Sequence, residues 1–188
     1  MLLLLIAPLL LAQPAVAQEP APGAPTDAAV AAIALPEPQL RKMLADLTFT
    51  TQTMAMSNYA LGVKRACAVL KPAFENTVAQ TLPQWRANLI KAYRDNVPLP
   101  VLSKAASGPL LASATVLQPY RGQIGASMQR DSQPLLMKAA EGMLVVVWTE
   151  AAKVDMKKVN GQARMAEMKQ AQADGSLFCN LDPTGAAL

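Results

Sequence analysis

The longest helical pattern of apolar and polar residues in the chain runs from Leu135 to Val159, LLMKAAEGMLVVVWTEAAKVDMKKV. An α-helix turns about 100° per residue, so one face of this run carries Leu136, Ala140, Met143, Leu144, Val147, Ala151 and Val154. The β-branched run Val145 to Val147 also suits a strand, but the helical period extends far beyond it, and this length favours a helix. The apolar face is wide, so we expect several neighbouring helices to cover it.

Residues at both ends support this central helix, which we place at 133–159. Asp131 or Ser132 suits the N-cap position, and Pro134 suits the first turn, where its missing N–H would have no partner in any case. Asn160-Gly161 is typical of the residues that follow the last turn of a helix.

Shorter helical patterns precede the central helix, and prolines divide them. One begins at Pro38, a second ends at Lys71-Pro72, and Thr81-Leu82-Pro83-Gln84 has the pattern of a capping box that starts a third. Regularly spaced β-hairpin signals are absent from the sequence. The sequence therefore predicts an all-α fold, a compact bundle of about five to seven helices, several of them short and broken by proline, around the central helix.

The first residues have the pattern of a secretory signal peptide at 1–17. An apolar run, MLLLLIAPLLLA, is followed by Ala15 and Ala17 in a small-x-small pattern, which predicts cleavage before Gln18. A membrane anchor is the alternative, but spanning a bilayer takes about 20 apolar residues and prolines interrupt this shorter run. We therefore expect a periplasmic or secreted protein. The Ala- and Pro-rich segment 18–36 is expected to be a flexible tether, with a helical domain at 37–182 and a disordered tail at 183–188.

Export changes the interpretation of the two cysteines, Cys67 and Cys179. In an oxidising compartment they are most simply one disulfide, and two free buried thiols are the alternative. A bridge between them closes most of the domain into a loop, which would contribute about 4 to 5 kcal/mol to stability.

The amino-acid composition excludes several kinds of catalytic site. The chain has no His, so a Ser-His-Asp triad and imidazole metal ligands are excluded. The acids are scattered singly. Glu141, in the middle of the central helix, is either a buried carboxylate with a raised pKa or an ordinary surface residue, and we favour the surface. We therefore predict no catalytic residue, no metal and no cofactor. An enzyme with a carboxylate- or serine-based site that forms only on folding is the alternative.

Positive charge is concentrated in the expected domain. The chain carries 17 Lys and Arg against 13 Asp and Glu, and without Glu19, Asp27 and Glu37 the net charge is about +7. A basic group follows the central helix: Lys153, Lys157, Lys158, Arg164 and Lys169. It suits a solvated face at a helix C-terminus, which we favour, or peripheral contact with anionic envelope lipid or an acidic partner. Nucleic acid is not expected, because aromatic residues are not interleaved with these basic residues.

Methionine is unusually frequent after the leader, at Met43, Met54, Met56, Met128, Met137, Met143, Met156, Met165 and Met168. Its flexible side chain suits an adaptable binding groove, and it also fills irregular cores in proteins with few aromatic residues. Of these two interpretations we favour the core.

The segment from Gln84 to Leu144 resembles a family of secreted bacterial all-α proteins, the domain of unknown function family 2059. The resemblance lies in a helix with Trp85 and Tyr93, in short proline-bounded helices, and in the run Tyr120-Arg121-Gly122-Gln123-Ile124-Gly125. That family has an aromatic-Tyr-x-Ser-x-x-Gly hairpin, whereas this chain has Pro119 for the aromatic residue and Gly122 for the Ser. The resemblance implies an exported helical domain and transfers no catalytic residue.

These patterns together predict an exported helical protein of the bacterial cell envelope that acts by binding and not by catalysis. Its partner is either an unknown protein or an apolar ligand, including a lipid that it carries. The prediction rests on the leader, the wide apolar helix, the frequent methionines and the missing catalytic sets.

Overall fold

The computed structural model describes residues 23–181, and within them the chain forms eight α-helices, three short 3-10 helices and no strand. The α-helices are α1 Asp27–Ala34, α2 Pro36–Phe49, α3 Gln52–Leu61, α4 Val63–Asn96, α5 Leu99–Ser107, α6 Leu110–Leu117, α7 Arg121–Ala151 and α8 Gly161–Ala173. The predicted all-α bundle is confirmed. The predicted cleavage residues Ala15, Ala17 and Gln18 and the predicted tail 183–188 lie outside the described residues.

Two long helices, α4 and α7, pack side by side and form the centre of the bundle. Asn88 Nδ2 donates to the carbonyl of Asp131 and to Oγ of Ser132, at 3.0 Å in both cases. Further along α4, Asn96 Nδ2 donates to Oγ of Ser127 at 2.9 Å, so the two helices run antiparallel. The buried core between and around them includes Phe74, Trp85, Leu89, Met143 and Val147.

Helix α4 is continuous through two prolines where the sequence predicted one helix to end and another to begin. Pro72 and Pro83 each remove a backbone hydrogen bond, and a proline inside a helix costs about 3 kcal/mol. Burial of Phe74 and Trp85 offsets this cost, since a large apolar side chain contributes about 1.5–3 kcal/mol when it is buried. The predicted cap Thr81 is therefore a buried residue inside the helix.

The central helix begins earlier than predicted, because α7 starts at Arg121 and not near residue 133. Gly122 and Gly125 weaken its first turns by about 1 kcal/mol each relative to Ala. Ile124 and Met128, which are buried in the core, stabilise the same turns. Tertiary packing thus extends the helix beyond the segment that local propensity favours.

The central helix also ends earlier than the predicted residue 159, since α7 stops at Ala151. The chain turns there, and Asp155 caps a 3-10 helix at Met156–Lys158. Asn160, which was predicted to end the central helix, instead begins α8. Its Oδ1 accepts a hydrogen bond from the N–H of Ala163 at 3.1 Å, which is the ordinary role of Asn at an N-cap.

The predicted tether 18–36 is wrong for its described part, because Asp27–Ala34 forms helix α1 and packs into the bundle. Val30 and Ala34 are 0% and 1% exposed. Arg94 holds the helix start through Asp27 Oδ1 at 2.7 Å. Ala has the highest helix propensity, and burial against α4 and α5 supplies the stability that this short run lacks alone. The folded part therefore includes residues before the predicted boundary at Glu37.

The predicted disulfide between Cys67 and Cys179 is confirmed, with Cα atoms 5.2 Å apart. It ties the C-terminal segment to α4. Beside it, Phe178 packs edge-on against Phe49, with ring centroids 5.5 Å apart.

Within the described residues, no helix combines the length and the apolar character needed to cross a membrane.

Candidate functional site

An elongated apolar cleft lies between α1, α2, α4, α6 and α7 and has a volume of about 970 Å³. This is near the upper end of the range of about 300–1,000 Å³ that small-molecule sites occupy. Its lining residues are Ile33, Leu35, Gln39, Met43, Leu47, Trp85, Leu89, Tyr93, Leu110, Leu111, Ala114, Leu117, Arg121, Ile124, Gly125, Met128, Gln129, Gln133, Leu136 and Met137. Most of these side chains are apolar, so the cleft favours a ligand with a large hydrocarbon part.

Helix α7 forms the longest wall, because its lining residues recur every three or four positions from Arg121 to Met137. At a rise of about 1.5 Å per residue, the cleft extends roughly 24 Å along this helix. Two other helices present residues at a spacing of four, Gln39, Met43 and Leu47 from α2 and Trp85, Leu89 and Tyr93 from α4. Three helical faces therefore define a long groove, a shape that an extended hydrocarbon chain fills.

The floor of the cleft is rigidly built, whereas its rim is open. Trp85 and Leu89 in the floor are each 2% exposed. The indole Nε1 of Trp85 donates to the carbonyl of Pro36 at 2.8 Å, which fixes the ring against the start of α2. On the rim, Leu111 is 87% exposed and Met137 is 54% exposed. Exposed apolar groups of this size beside a groove are typical of a surface that a ligand covers.

The charged group of the cleft and its tyrosine hydroxyl lie towards one end, whereas the uncharged amides of Gln39, Gln129 and Gln133 line other parts of it. Among the described residues that line it, Arg121 is the only charged one, and it forms no ion pair with a described carboxylate. Burial raises the pKa of the half-buried Tyr93, and the nearby charge of Arg121 opposes this shift only in part. The Tyr93 hydroxyl therefore stays protonated at neutral pH and is able to donate a hydrogen bond. This end of the cleft suits an anion.

Two shallow hollows continue the apolar surface beyond the other end of the cleft. The first, of about 680 Å³, shares Leu47 and Met137 with the cleft. The second, of about 410 Å³, shares Met56 and Trp148 with the first and reaches Met165 on α8. Apolar side chains therefore form a continuous track along the outer side of α7, from the cleft to α8.

The methionines lie mainly along this track, so the favoured core interpretation is wrong for most of them. Met54, Met128 and Met143 are buried. Five others are between 43% and 54% exposed, namely Met43, Met56, Met137, Met156 and Met165, and all five border the cleft or a hollow. Their flexible thioether side chains give the track an adaptable surface.

The types of residue that the sequence analysis considered for catalysis or metal binding, namely carboxylates, serines and cysteines, do not line the cleft in the described part of the chain. Glu141 is exposed beside the first hollow, which agrees with the favoured surface position. Of the buried serines, Ser57 and Ser113 donate to backbone carbonyls, while Ser127 and Ser132 accept from asparagine side chains. Within residues 23–181, no three Asp, Glu, Cys or His side chains are grouped so as to hold a metal ion.

The sequence did not reveal the cleft, because each of its walls looked like an ordinary core-facing helix. The segment Tyr120 to Gly125, on which the family resemblance rests, ends one 3-10 helix and starts α7, where Arg121 and Gly125 line the cleft. Comparisons with protein-family models, with curated proteins and with solved structures find no match to this chain. The resemblance therefore stays a prediction, and function has to be argued from the cleft.

Proposed function

We propose that the cleft binds an amphipathic lipid with one hydrocarbon chain and an anionic head, such as a long-chain fatty acid. The observation that carries this proposal is an elongated apolar cleft with a single charged residue, Arg121, among its described lining residues. Arg121 is exposed, so water solvates its guanidinium beside a neutral ligand, whereas a carboxylate or phosphate head pairs with it and forms charge-assisted hydrogen bonds.

The positions of the polar groups set the orientation of the bound lipid. The anionic head lies beside Arg121 and the Tyr93 hydroxyl, and the hydrocarbon chain runs along α7 over Trp85 towards Met137. The side chains of Gln129 and Gln133, which line the cleft from the exposed side of α7, remain available to water or to the head. Burying the chain against apolar walls supplies the main driving force, at about 25 cal/mol per Å² of apolar surface.

The proposal includes export to the bacterial cell envelope. Its support is the signal-peptide pattern at 1–17 together with the Cys67–Cys179 disulfide, which suits an oxidising compartment. Catalysis is not part of the proposal, because the cleft-lining residues in the described part of the chain include no carboxylate, serine or cysteine. An exported protein that holds a lipid without transforming it acts as a carrier or a scavenger.

Trp85 gives a direct test of binding. The chain has two tryptophans, so Trp148→Phe leaves Trp85, which is 2% exposed and lines the cleft, as the only indole. A doxyl-labelled stearate is expected to quench its fluorescence saturably, and unlabelled palmitate is expected to restore it. Quenching that does not saturate, or that palmitate does not reverse, would contradict the proposal.

The role of Arg121 is tested separately with Arg121→Gln. We expect the affinity for palmitate to fall roughly tenfold, about 1.4 kcal/mol, because the carboxylate loses its cation. The affinity for hexadecanol, which has the same chain and no charge, is expected to stay within about twofold of wild type, a change below 0.5 kcal/mol. Isothermal titration calorimetry of both ligands measures the two effects.

Arg86→Gln is the matched control for that substitution. Arg86 is an exposed residue of α4 that does not line the cleft, so its replacement removes the same net charge without touching the site. If both variants weaken palmitate binding equally, the effect is one of overall charge, and Arg121 does not bind the head. If wild type binds hexadecanol as tightly as palmitate, the anionic head is excluded and the apolar cleft alone determines binding.

A further inference from the structure

The end of the apolar track farthest from Arg121 is a separate surface on α3, α7, the 3-10 helix Met156–Lys158 and α8. We define it as the Trp148 surface, formed by Met56, Val145, Trp148, Met156 and Met165. Each of these side chains is between 44% and 57% exposed. A contiguous apolar patch that includes an exposed indole is typical of a surface that contacts another phase or molecule. The cleft does not account for it, because none of the five residues lines the cleft.

Exposed lysines lie close along the chain to residues of this surface. Lys157 directly follows Met156, and Lys169 lies four residues after Met165 on α8, a spacing that puts both side chains on one face of the helix. Lys157 and Lys169 are exposed, and neither forms an ion pair with a carboxylate of the described residues. Glu141 lines the first hollow, so the positive charge lies at the α8 end of the apolar patch.

We propose that the Trp148 surface docks on a bilayer that contains anionic lipid. Tryptophan concentrates at the boundary between hydrocarbon and head groups, where its ring is apolar and its N–H stays hydrated. Lysines beside an apolar patch add attraction to anionic head groups, and this attraction falls as salt is added. A protein partner would need acidic side chains in a fixed pattern, whereas a membrane supplies both anionic charge and apolar depth to a surface of this irregular shape.

The docked position has a consequence for the cleft. The first hollow joins the Trp148 surface to the cleft through Leu47 and Met137. A bilayer at Trp148 therefore lies at one end of the apolar track that leads to the binding cleft, and the first hollow between them also contains polar residues at 50–53 and Glu141. Docking goes beyond the proposed lipid binding and can fail while that binding holds, since the two use different residues.

Vesicles of phosphatidylcholine, with and without phosphatidylglycerol, test the docking. We expect the protein to sediment with phosphatidylglycerol vesicles at least fivefold more than with phosphatidylcholine alone, and added salt to reverse this difference. Trp148→Glu is expected to reduce sedimentation at least tenfold. Trp148 is 44% exposed, so we expect the variant to remain folded, which a circular-dichroism melt checks. Leu99→Glu is the control and should sediment like wild type, because Leu99 is an apolar residue of α5 that is 42% exposed and lines neither the cleft nor the two hollows.

Two further measurements keep the outcomes distinct. Brominated phosphatidylglycerol in the vesicle is expected to quench wild type but not Trp148→Phe, whose remaining Trp85 lies in the floor of the cleft and not on the Trp148 surface. Trp148→Glu is expected to bind monomeric palmitate as wild type does. The docking is overturned if Trp148→Glu still sediments with vesicles, or if the free protein is a dimer that Trp148→Glu dissociates, since the surface then binds a second copy. If Trp148→Glu no longer binds vesicles but still binds palmitate, docking is supported. If wild type does not bind palmitate, only the proposed function of the cleft is removed.

Discussion

Replacing both cysteines, Cys67→Ala with Cys179→Ala, is expected to lower the free energy of unfolding by about 4 to 5 kcal/mol. The reason lies in the unfolded chain, because the two residues are 112 positions apart and the bridge closes most of the folded part into one loop. Opening so long a loop restores conformational entropy to the unfolded state. Urea unfolding followed by circular dichroism measures the change, with the slope against urea compared between variant and wild type.

Local release of the C-terminal segment is a second way in which loss of the disulfide would destabilise the protein, and hydrogen exchange distinguishes it from loop opening. The bridge also holds the C-terminal segment, in which Cys179 and Leu181 are 3% and 5% exposed. If the main effect were local release of this segment, amide hydrogen exchange would rise in α8 while α4 and α7 kept their protection. Wild type reduced with dithiothreitol should match the double variant. A loss below about 1 kcal/mol in either sample would show that loop closure contributes little here.

The wide apolar face of α7 shows how far sequence reasoning reaches in this chain. The face was predicted residue by residue, and Leu136, Ala140, Met143 and Val147 are all buried. The expectation that neighbouring helices cover this face was confirmed. Val145 and Trp148 lie outside the predicted face, and they are 57% and 44% exposed. Periodicity identifies an apolar face, but whether another helix covers it depends on the arrangement of all the helices, which no local pattern contains.

The positions of the helix ends also depend on tertiary packing that local patterns do not contain. Pro72, Pro83 and Pro134 are local signals for a helix boundary, yet each lies inside a long helix of this fold. Burial of neighbouring side chains supplies free energy that offsets the cost of each proline. The disulfide was predictable, by contrast, because the chain has a signal-peptide pattern and two cysteines, which leaves one partner for each. The cleft was not, since its walls come from five helices and its only charged described lining residue, Arg121, lay outside the predicted central helix.

Gly125 provides the sharpest test of the cleft, and Gly125→Leu is expected to lower the affinity for palmitate at least tenfold, or about 1.4 kcal/mol. Gly125 lines the cleft, and a Cβ placed on it meets no atom within 4 Å. There is therefore room for the base of a side chain at this position, and we expect a leucine to enter the space that the hydrocarbon chain of the ligand would fill. The glycine sits inside helix α7, so the same substitution should stabilise the helix by about 1 kcal/mol. Lower affinity is thus expected together with higher stability, which separates blocking of the cleft from unfolding.

Gly142→Leu is the matched control on the same helix. A Cβ added to Gly142 also meets no atom within 4 Å, and this glycine borders neither the cleft nor the hollows beside it. Since both glycines lie inside α7, the control should gain a similar amount of helix stability, measured as a rise in Tm, while its affinity for palmitate stays at the wild-type value. Calorimetric titration of both variants with palmitate decides whether the lipid occupies the space beside Gly125. If Gly125→Leu binds palmitate as tightly as wild type, the lipid does not occupy the cleft. If both variants lose affinity alike, binding depends on the flexibility of α7 and not on the space beside Gly125.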